Sequence, residues 1–191
     1  MKRLVLEDHN PLWTEQFRQL KSVYEIHLKE LFLFIEHVGS TSIPGIKAKP
    51  VIDIDVVIER VDILSSIIPR LERLGYVYKG DLGIRGREAF WQPSCKVPIG
   101  DMDSLWPSHH LYVCQRGIES LQNHLLFRDY LRAHPEEARE YSVLKENLIG
   151  SVNDDIDLYV EGKSEFISNI LRKCGFNIAS LDDIRQQNNK K

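Results

Sequence analysis

Cysteine is scarce in this chain of 191 residues, which contains only three, Cys95, Cys114 and Cys174. They lie far apart and form no Cys-x-x-Cys pair, which excludes a disulfide framework and argues against a zinc site. No apolar run approaches the roughly 20 residues of a membrane-spanning helix. The N-terminus becomes polar by Glu7, unlike a secretory signal. We therefore expect reduced thiols, no membrane segment and a cytoplasmic location.

The chain also lacks an excess of basic residues, because it contains 25 Lys and Arg residues and 28 Asp and Glu residues, for a formal net charge of -3. Dedicated nucleic-acid binders usually carry a basic patch or a high pI, so the composition gives no strong signal for nucleic acid. Hydrophobic residues make up 42% of the chain and charged residues 28%. These values are typical of a globular protein with one core, and the length suits a single domain.

The hydrophobic periodicity predicts an α+β fold with one mixed sheet flanked by helices. We expect a domain over residues 1–175, with the sheet within about 1–116, a helical part over about 117–175, and a polar tail over 176–191. The predicted strands are 3–6, 32–38, 51–58, 76–78, 88–92 and 110–115. The predicted helices are one that starts after an Asn10 cap and the segments 61–74, 120–134, 136–149 and 155–174.

Two aspartates on the clearest predicted strand are the first candidate site. Residues two apart in a strand point to the same side, so Asp53 and Asp55 share one face while Ile52, Ile54 and Val56 share the buried one. Two like charges placed this closely repel each other, and a bound divalent cation removes that cost. Carboxylate oxygens favour Mg²⁺ or Mn²⁺. The alternative is a pair of solvated aspartates on a half-exposed sheet.

The loop before that strand supplies a second candidate element. Gly39 follows a hydrophobic strand and allows a sharp turn, and Ser40, Thr41 and Ser42 add three hydroxyl groups beside successive backbone amides. Such a turn binds anions, and a phosphate held there would lie near a cation held by the two aspartates. Taken alone, the same four residues also suit an ordinary turn with a helix cap.

Several cationic side chains are candidates to complete a phosphate site. Arg87 follows a glycine-rich turn, Lys49 precedes the aspartate strand, and Arg128 lies on a predicted helix. Arginine binds phosphate oxygens in a bidentate manner, which favours the two arginines. Lys145 and Lys163 in the helical part are weaker candidates for the same cleft. Each of these residues is equally compatible with a solvated charge or a partner for a nearby carboxylate.

The strings Val38-Gly39-Ser40 and Asp53-Ile54-Asp55-Val56 resemble the signature of the polymerase-β-like nucleotidyltransferase superfamily. The longer stretch 37–55, together with 83–87, 110–113 and 124–132, resembles the GrpB family over residues from about 3 to about 171. The resemblance implies a nucleotidyltransferase fold with a C-terminal helical subdomain that closes a cleft. It also implies that Gly39 and Ser40 hold the β- and γ-phosphates and that Asp53 and Asp55 bind two metal ions.

The sequence departs from the superfamily pattern in one respect, the third carboxylate. The superfamily usually supplies that group from a later strand, but here His110 and Tyr112 share the relevant face, and the GrpB family commonly has histidine at the position of Tyr112. His110 is a candidate metal ligand or general base. It is equally compatible with being only a polar residue at the start of a strand. Asp101, Asp103 and Glu88 are further candidates for the missing acid.

The predicted function is a metal-dependent nucleotidyltransferase that moves a nucleotidyl group from a nucleoside triphosphate to an unknown acceptor hydroxyl. Retention of both aspartates and of the Gly-Ser turn favours this reading. The alternative is a non-catalytic module that binds a nucleotide or a coenzyme A precursor, because related domains are fused to dephospho-CoA kinase. The missing third carboxylate favours that alternative.

Overall fold

The computed structural model describes residues 4–100 and 104–176. The candidate acids Asp101 and Asp103, the tail from residue 177 and the first residue of the predicted strand 3–6 lie outside the described residues. The strands are β1 Phe34–Val38, β2 Ile52–Ile58, β3 Val77–Tyr78, β4 Arg87–Trp91 and β5 His109–Gln115. The helices are α1 Leu12–Leu28, α2 Leu64–Arg73, α3 Glu119–Ala133, α4 Pro135–Ser151, α5 Ile156–Glu161 and α6 Ser164–Lys173.

The five strands form one mixed sheet in the order β1-β2-β5-β4-β3. Strands β2 and β5 are parallel, and the other neighbouring pairs are antiparallel. A parallel pair needs a crossover connection, and here α2, β3 and β4 lie between the two strands in the chain. The predicted α+β class with a mixed sheet flanked by helices is confirmed.

The main core lies between one face of the sheet and helices α1 and α2. The alternating β2 residues Ile52, Ile54, Val56 and Ile58 are each no more than 1% exposed and pack against these two helices. The helices contribute Trp13, Leu20, Tyr24, Ile67 and Leu71. Full burial of one such aliphatic side chain contributes about 1.5–3 kcal/mol, so this layer positions β2 firmly.

The opposite face of β2 is covered as well, which argues against the alternative of two solvated aspartates on a half-exposed sheet. Val57 packs with Cys114 of β5 and Leu121 of α3, and Asp55 beside it is 0% exposed. Helices α3, α4 and α6 form a further core on the segment after β1, where Ile43 and Ile46 are buried. The C-terminal helices therefore enclose the aspartate face of the sheet.

Local differences from the predicted elements have clear causes. The Asn10 side chain accepts a hydrogen bond from Leu12 N at 3.0 Å, which supports the predicted start of α1. The segment predicted as one helix over 155–174 forms two, α5 and α6, and Asp155 caps the first of them. Residues 4–6 do not form the predicted strand, and pairing there is limited to a bridge between Glu7 and Ala48.

Two further features concern the cysteines and the length of the helices. Cys95, Cys114 and Cys174 are all free thiols. Within the described part of the chain, no helix is both long and apolar enough to traverse a membrane.

Candidate functional site

The two aspartates of β2 lie between strands β1 and β5. Asp53 is opposite Val38 on one side and His110 on the other. Asp55 is opposite Glu36 and Tyr112 in the same way. The strand proposed to carry a third acid is therefore the direct neighbour of β2, and it presents a histidine and a tyrosine there.

Asp53 forms a hydrogen-bonded pair with His110. Its Oδ1 lies 2.8 Å from His110 Nδ1, and its side chain is 29% exposed. Burial raises the pKa of Asp53, but the hydrogen bond and charge of His110, together with the charges of His124 and Lys163, outweigh burial and lower that pKa. Asp53 is therefore an ionised carboxylate near neutral pH.

Asp55, which is 0% exposed, forms a second pair with His124 of α3, whose side chain is 30% exposed. Its Oδ2 lies 2.7 Å from His124 Nδ1, whereas its Oδ1 is buried without a hydrogen-bond partner. Burial lowers the pKa of His124, but the adjacent Asp55 carboxylate outweighs burial and raises that pKa. The sequence analysis did not single out His124, and its distance of 69 residues from Asp55 leaves no local signal for this pair.

Gly39 brings the turn after β1 against the Asp53 carboxylate. Its φ is 69°, in the left-handed region that favours glycine. A Cβ atom on this residue would lie 2.1 Å from Asp53 Oδ2, far inside van der Waals contact. The backbone of the turn can therefore approach the carboxylate this closely only because residue 39 has no side chain.

The three hydroxyl groups of the turn have different roles. Thr41 Oγ1 donates to Val51 O at 3.1 Å and lies 3.0 Å from His37 Nε2, while Ser42 Oγ donates to Gly39 O at 2.6 Å. Thr41 and Ser42 therefore stabilise the turn, and their assignment as phosphate donors stays a prediction. Ser40 is half-buried and faces the cavities beside Asp53.

A cavity of about 300 Å³ covers the aspartate face of the sheet. Its lining includes the polar residues Ser40, Asp53, Arg87, Asn123, His124 and Lys163. A smaller cavity of about 80 Å³ adjoins it and shares Ser40, Asp53 and Lys163. The smaller cavity also reaches Lys49 and His110. The Gly-Ser turn, Asp53 and several cations therefore meet in one connected space.

Three cationic side chains line this space. Arg87 is 7% exposed, and its guanidinium lies 4.6 Å above the Tyr112 ring. Burial, together with the charge of Lys49, lowers the pKa of Lys163 to about 8. Lys49 and Lys163 both lie over the ring of Tyr159, at 5.6 and 4.4 Å. The weaker sequence candidate Lys163 is therefore brought to the site by α6 and its preceding turn.

Arg128 is not among the residues that line the two cavities, and its assignment as a phosphate ligand stays a prediction. Its Nη1 donates to Glu36 at 2.5 Å and to His37 O at 3.0 Å, and its Nε donates to Asp129 at 2.7 Å. These bonds attach α3 to β1. Lys145 is likewise structural, because its Nζ donates to Lys47 O from a buried position.

The two carboxylates are of the ligand type that magnesium prefers, and Asp53 lines both cavities whereas Asp55, at 0% exposure, lines neither. No group of three or more His, Cys, Asp or Glu side chains within residues 4–100 and 104–176 is arranged to hold a metal ion. Glu88 instead accepts a hydrogen bond from Tyr78 at 2.5 Å. Magnesium commonly uses one or two carboxylates and takes its other ligands from substrate phosphates and water. The partnerless Oδ1 of Asp55 is a hard oxygen suited to such an ion.

Fold and site together define an α+β protein with a ligand-sized cavity, lined by both polar and apolar side chains, over the central strands of a mixed sheet. The chain belongs to the GrpB protein family, whose sequence profile matches residues 3–173. The crystal structure of conserved protein GrpB from Enterococcus faecalis superimposes with a TM-score of 0.75 at 32% identity. That alignment covers 94% of this chain and 99% of the other.

Curated relatives differ in length. Glutamate-rich protein GrpB of Alkalihalophilus pseudofirmus is 33% identical over 89% of this chain and 95% of its own length. UPF0157 protein YqkA of Bacillus subtilis is 36% identical over 83% of this chain, and the match spans only 43% of that protein. Dephospho-CoA kinase of Mycolicibacterium paratuberculosis is 28% identical over 90% of this chain and 46% of its own length.

Proposed function

We propose that this protein is a nucleotidyltransferase that uses a nucleoside triphosphate and Mg²⁺ or Mn²⁺ to modify an acceptor hydroxyl. The observation that carries the proposal is the contact between Gly39 and the Asp53 carboxylate, at which a Cβ atom would lie 2.1 Å from Oδ2. This contact places an anion-binding turn directly beside a metal-binding type of side chain. Metal–phosphate complexes require these two elements to be adjacent.

The triphosphate binds at the junction of the two cavities. Ser40 offers a hydroxyl donor, and Lys163, which lines both cavities together with Asp53, offers a positive charge. Lys49 borders the smaller cavity and adds a second cation. Excess positive charge in a partly enclosed cavity favours a polyanionic substrate.

Asp53 and Asp55 hold the metal ion in this proposal. When bound, the ion lowers the cost of forming an alkoxide on the acceptor and neutralises the departing pyrophosphate. The chain's own contribution is to hold both carboxylates in place, through His110 for Asp53 and His124 for Asp55.

His110 takes the proton from the acceptor. Its Nδ1 is bonded to Asp53, which leaves Nε2 as the basic nitrogen of the neutral ring, and the side chain is 54% exposed. The acceptor oxygen forms a bond to the α-phosphorus, and the bond from that phosphorus to the bridging oxygen breaks. Pyrophosphate leaves with the electron pair, and the proton passes to His110.

The experiment is thermal unfolding with each nucleoside triphosphate and Mg²⁺ or Mn²⁺, combined with an assay for released pyrophosphate. Ligand at 100 times its Kd stabilises by about 2.7 kcal/mol, which raises Tm by about 5–10 °C at this size. We expect a metal-dependent rise that Asp53→Asn and Asp55→Asn abolish. Asp157→Asn, at an exposed aspartate, is the matched control. A rise that survives in Asp53→Asn would refute the proposed site.

A second candidate is a module that binds a nucleotide or a coenzyme A precursor without catalysis. The observation that favours it is that β5 presents His110 and Tyr112, and no carboxylate, beside the two aspartates. One relative is a dephospho-CoA kinase, so dephospho-CoA is the natural second probe. Stabilisation by either probe, with no pyrophosphate released over a panel of hydroxylated acceptors, would support the module and refute the transferase.

A further inference from the structure

Polar atoms without partners cluster around the larger cavity. Arg87 Nε, Ser120 Oγ and Asn123 Oδ1 are buried and have no hydrogen-bond partner among the described residues. All three residues line this cavity, and Asn123 is 8% exposed. Buried polar groups in native proteins are almost always satisfied, so such a cluster indicates a bound polar molecule.

Arg87 carries the strongest part of this signal. Its guanidinium is held against the Tyr112 ring, and no carboxylate among the described residues forms an ion pair with it. The nearby Asp55 carboxylate is already paired with His124. A buried cation without a partner is costly, and an anionic ligand removes that cost where a neutral one does not.

We propose that Arg87, Ser120 and Asn123 form the acceptor subsite, which binds a carboxylate or phosphate group of a small hydroxylated molecule. This inference rests on the proposed nucleotidyl transfer. Arg87 and the Ser120 hydroxyl donate to the anion. Asn123 Oδ1 accepts from a hydroxyl or amine of the same molecule. The acceptor is therefore a small anionic molecule rather than a neutral one.

The order of the strands supports this assignment over a role in binding the triphosphate. Gly39 ends β1 on one side of β2, whereas Arg87 belongs to β4, two strands away on the other side. Neighbouring strands lie about 4.8 Å apart. The two aspartates thus stand between the Gly-Ser turn and Arg87. In-line transfer requires the attacking oxygen and the leaving pyrophosphate on opposite sides of the reacting phosphorus.

The test measures anion binding to the full chain and its variants at constant ionic strength. Inorganic phosphate and acetate are titrated separately, and the apparent Kd is taken from the rise in Tm. We expect Arg87→Met to weaken binding at least tenfold and Ser120→Ala to weaken it severalfold. The matched control is Arg85→Met, at an exposed arginine two residues away, which we expect to retain binding. Lys163→Met reports on the triphosphate side. The anion that binds more tightly identifies phosphate or carboxylate as the recognised group.

Each possible result either supports or overturns the proposed acceptor subsite. Loss of anion binding in Arg87→Met, with binding retained in Lys163→Met, supports the acceptor subsite. Unchanged binding in both Arg87→Met and Ser120→Ala overturns it, and so does the failure of both anions to bind the wild type. Equal losses in Arg87→Met and Lys163→Met would indicate one shared phosphate site and also overturn it.

Two further measurements separate this inference from the proposed function. Adenosine and guanosine test whether an uncharged nucleoside binds in the same place. If a nucleoside stabilises the protein in an Arg87-dependent way and neither anion does, the anionic acceptor is overturned. The nucleoside triphosphates and metal are titrated in parallel. If they fail to stabilise the wild type while anion binding depends on Arg87, the nucleotidyl transfer is refuted and the anion subsite stands.

Discussion

Replacement of Gly39 by alanine tests the contact on which the candidate site depends. The residue has φ 69° and ψ -174°, a conformation that is almost restricted to glycine and costs other residues about 1–3 kcal/mol. The added Cβ would also lie 2.1 Å from Asp53 Oδ2, so the carboxylate must move and weaken its bond to His110. We expect a total loss of about 3–4 kcal/mol.

A second glycine supplies a matched control for this substitution. Gly45 has φ 78°, and a Cβ atom there would meet no atom within 4 Å. Gly45→Ala therefore carries a backbone cost of about 1–2 kcal/mol and no clash. The difference between Gly39→Ala and Gly45→Ala isolates the contact with the carboxylate.

The assay is denaturant unfolding at equilibrium, combined with a double-mutant cycle. In the background of Asp53→Ala the clash with the carboxylate is removed and only the Cβ of residue 53 remains close, at 3.0 Å, so Gly39→Ala should cost about 1–2 kcal/mol less than in the wild type. We expect the Tm of the single variant to fall by roughly 10 °C, given about 2–4 °C for each kcal/mol at this chain length. Equal costs for the two glycines, or no coupling between Gly39 and Asp53, would refute the reasoning.

Three other predictions concern stability and thiol access. Arg128→Met should cost on the order of 2–3 kcal/mol in urea, because it leaves the partly buried Glu36 without its partner, yet it should leave anion and nucleotide binding unchanged. Burial, with nearby arginine charges, lowers the pKa of His37 to about 4, so unfolding takes up a proton and stability falls as the pH drops from about 6.5 to 4. Over this pH range the free energy of unfolding falls by on the order of 3 kcal/mol. Urea titrations of His37→Gln should show a smaller dependence of this free energy on pH. Exposed Cys95 should react with a thiol reagent at once, and buried Cys114, whose pKa burial raises, should react only on unfolding.

Periodicity predicted most elements of the fold. The alternation of Ile52, Ile54 and Val56 predicted β2 to within one residue, and the strands 88–92 and 110–115 were each found within one residue of their predicted ends. These signals are local, because a strand buried on one face must alternate. The break between α5 and α6 was missed because Gly162 and Lys163 interrupt a pattern that otherwise stays helical.

Burial of the aspartate face was not predictable from the same alternation. From sequence alone, a polar residue in a strand is predicted to be exposed unless its hydrogen-bond partner is known. The partner of Asp55 is His124, on a helix that is distant in the chain. The same limit applies to Arg128, whose role depends on Glu36 and His37, and to Thr41, whose hydroxyl bonds within its own turn. Each of these assignments depends on which side chains meet in space.

The sequence by itself therefore determined the order of strands and helices, the aspartate pair of β2 and the glycine turn before it, because short-range sterics and hydrophobic periodicity act within a few residues. Tertiary structure alone decided that Gly39 touches Asp53 and that Lys163 reaches the same cavity. It also decided that Arg87 is a buried cation with no carboxylate partner among the residues that the structure describes. These features arise from packing between residues far apart in the chain, and the energies that select them depend on burial and pairing.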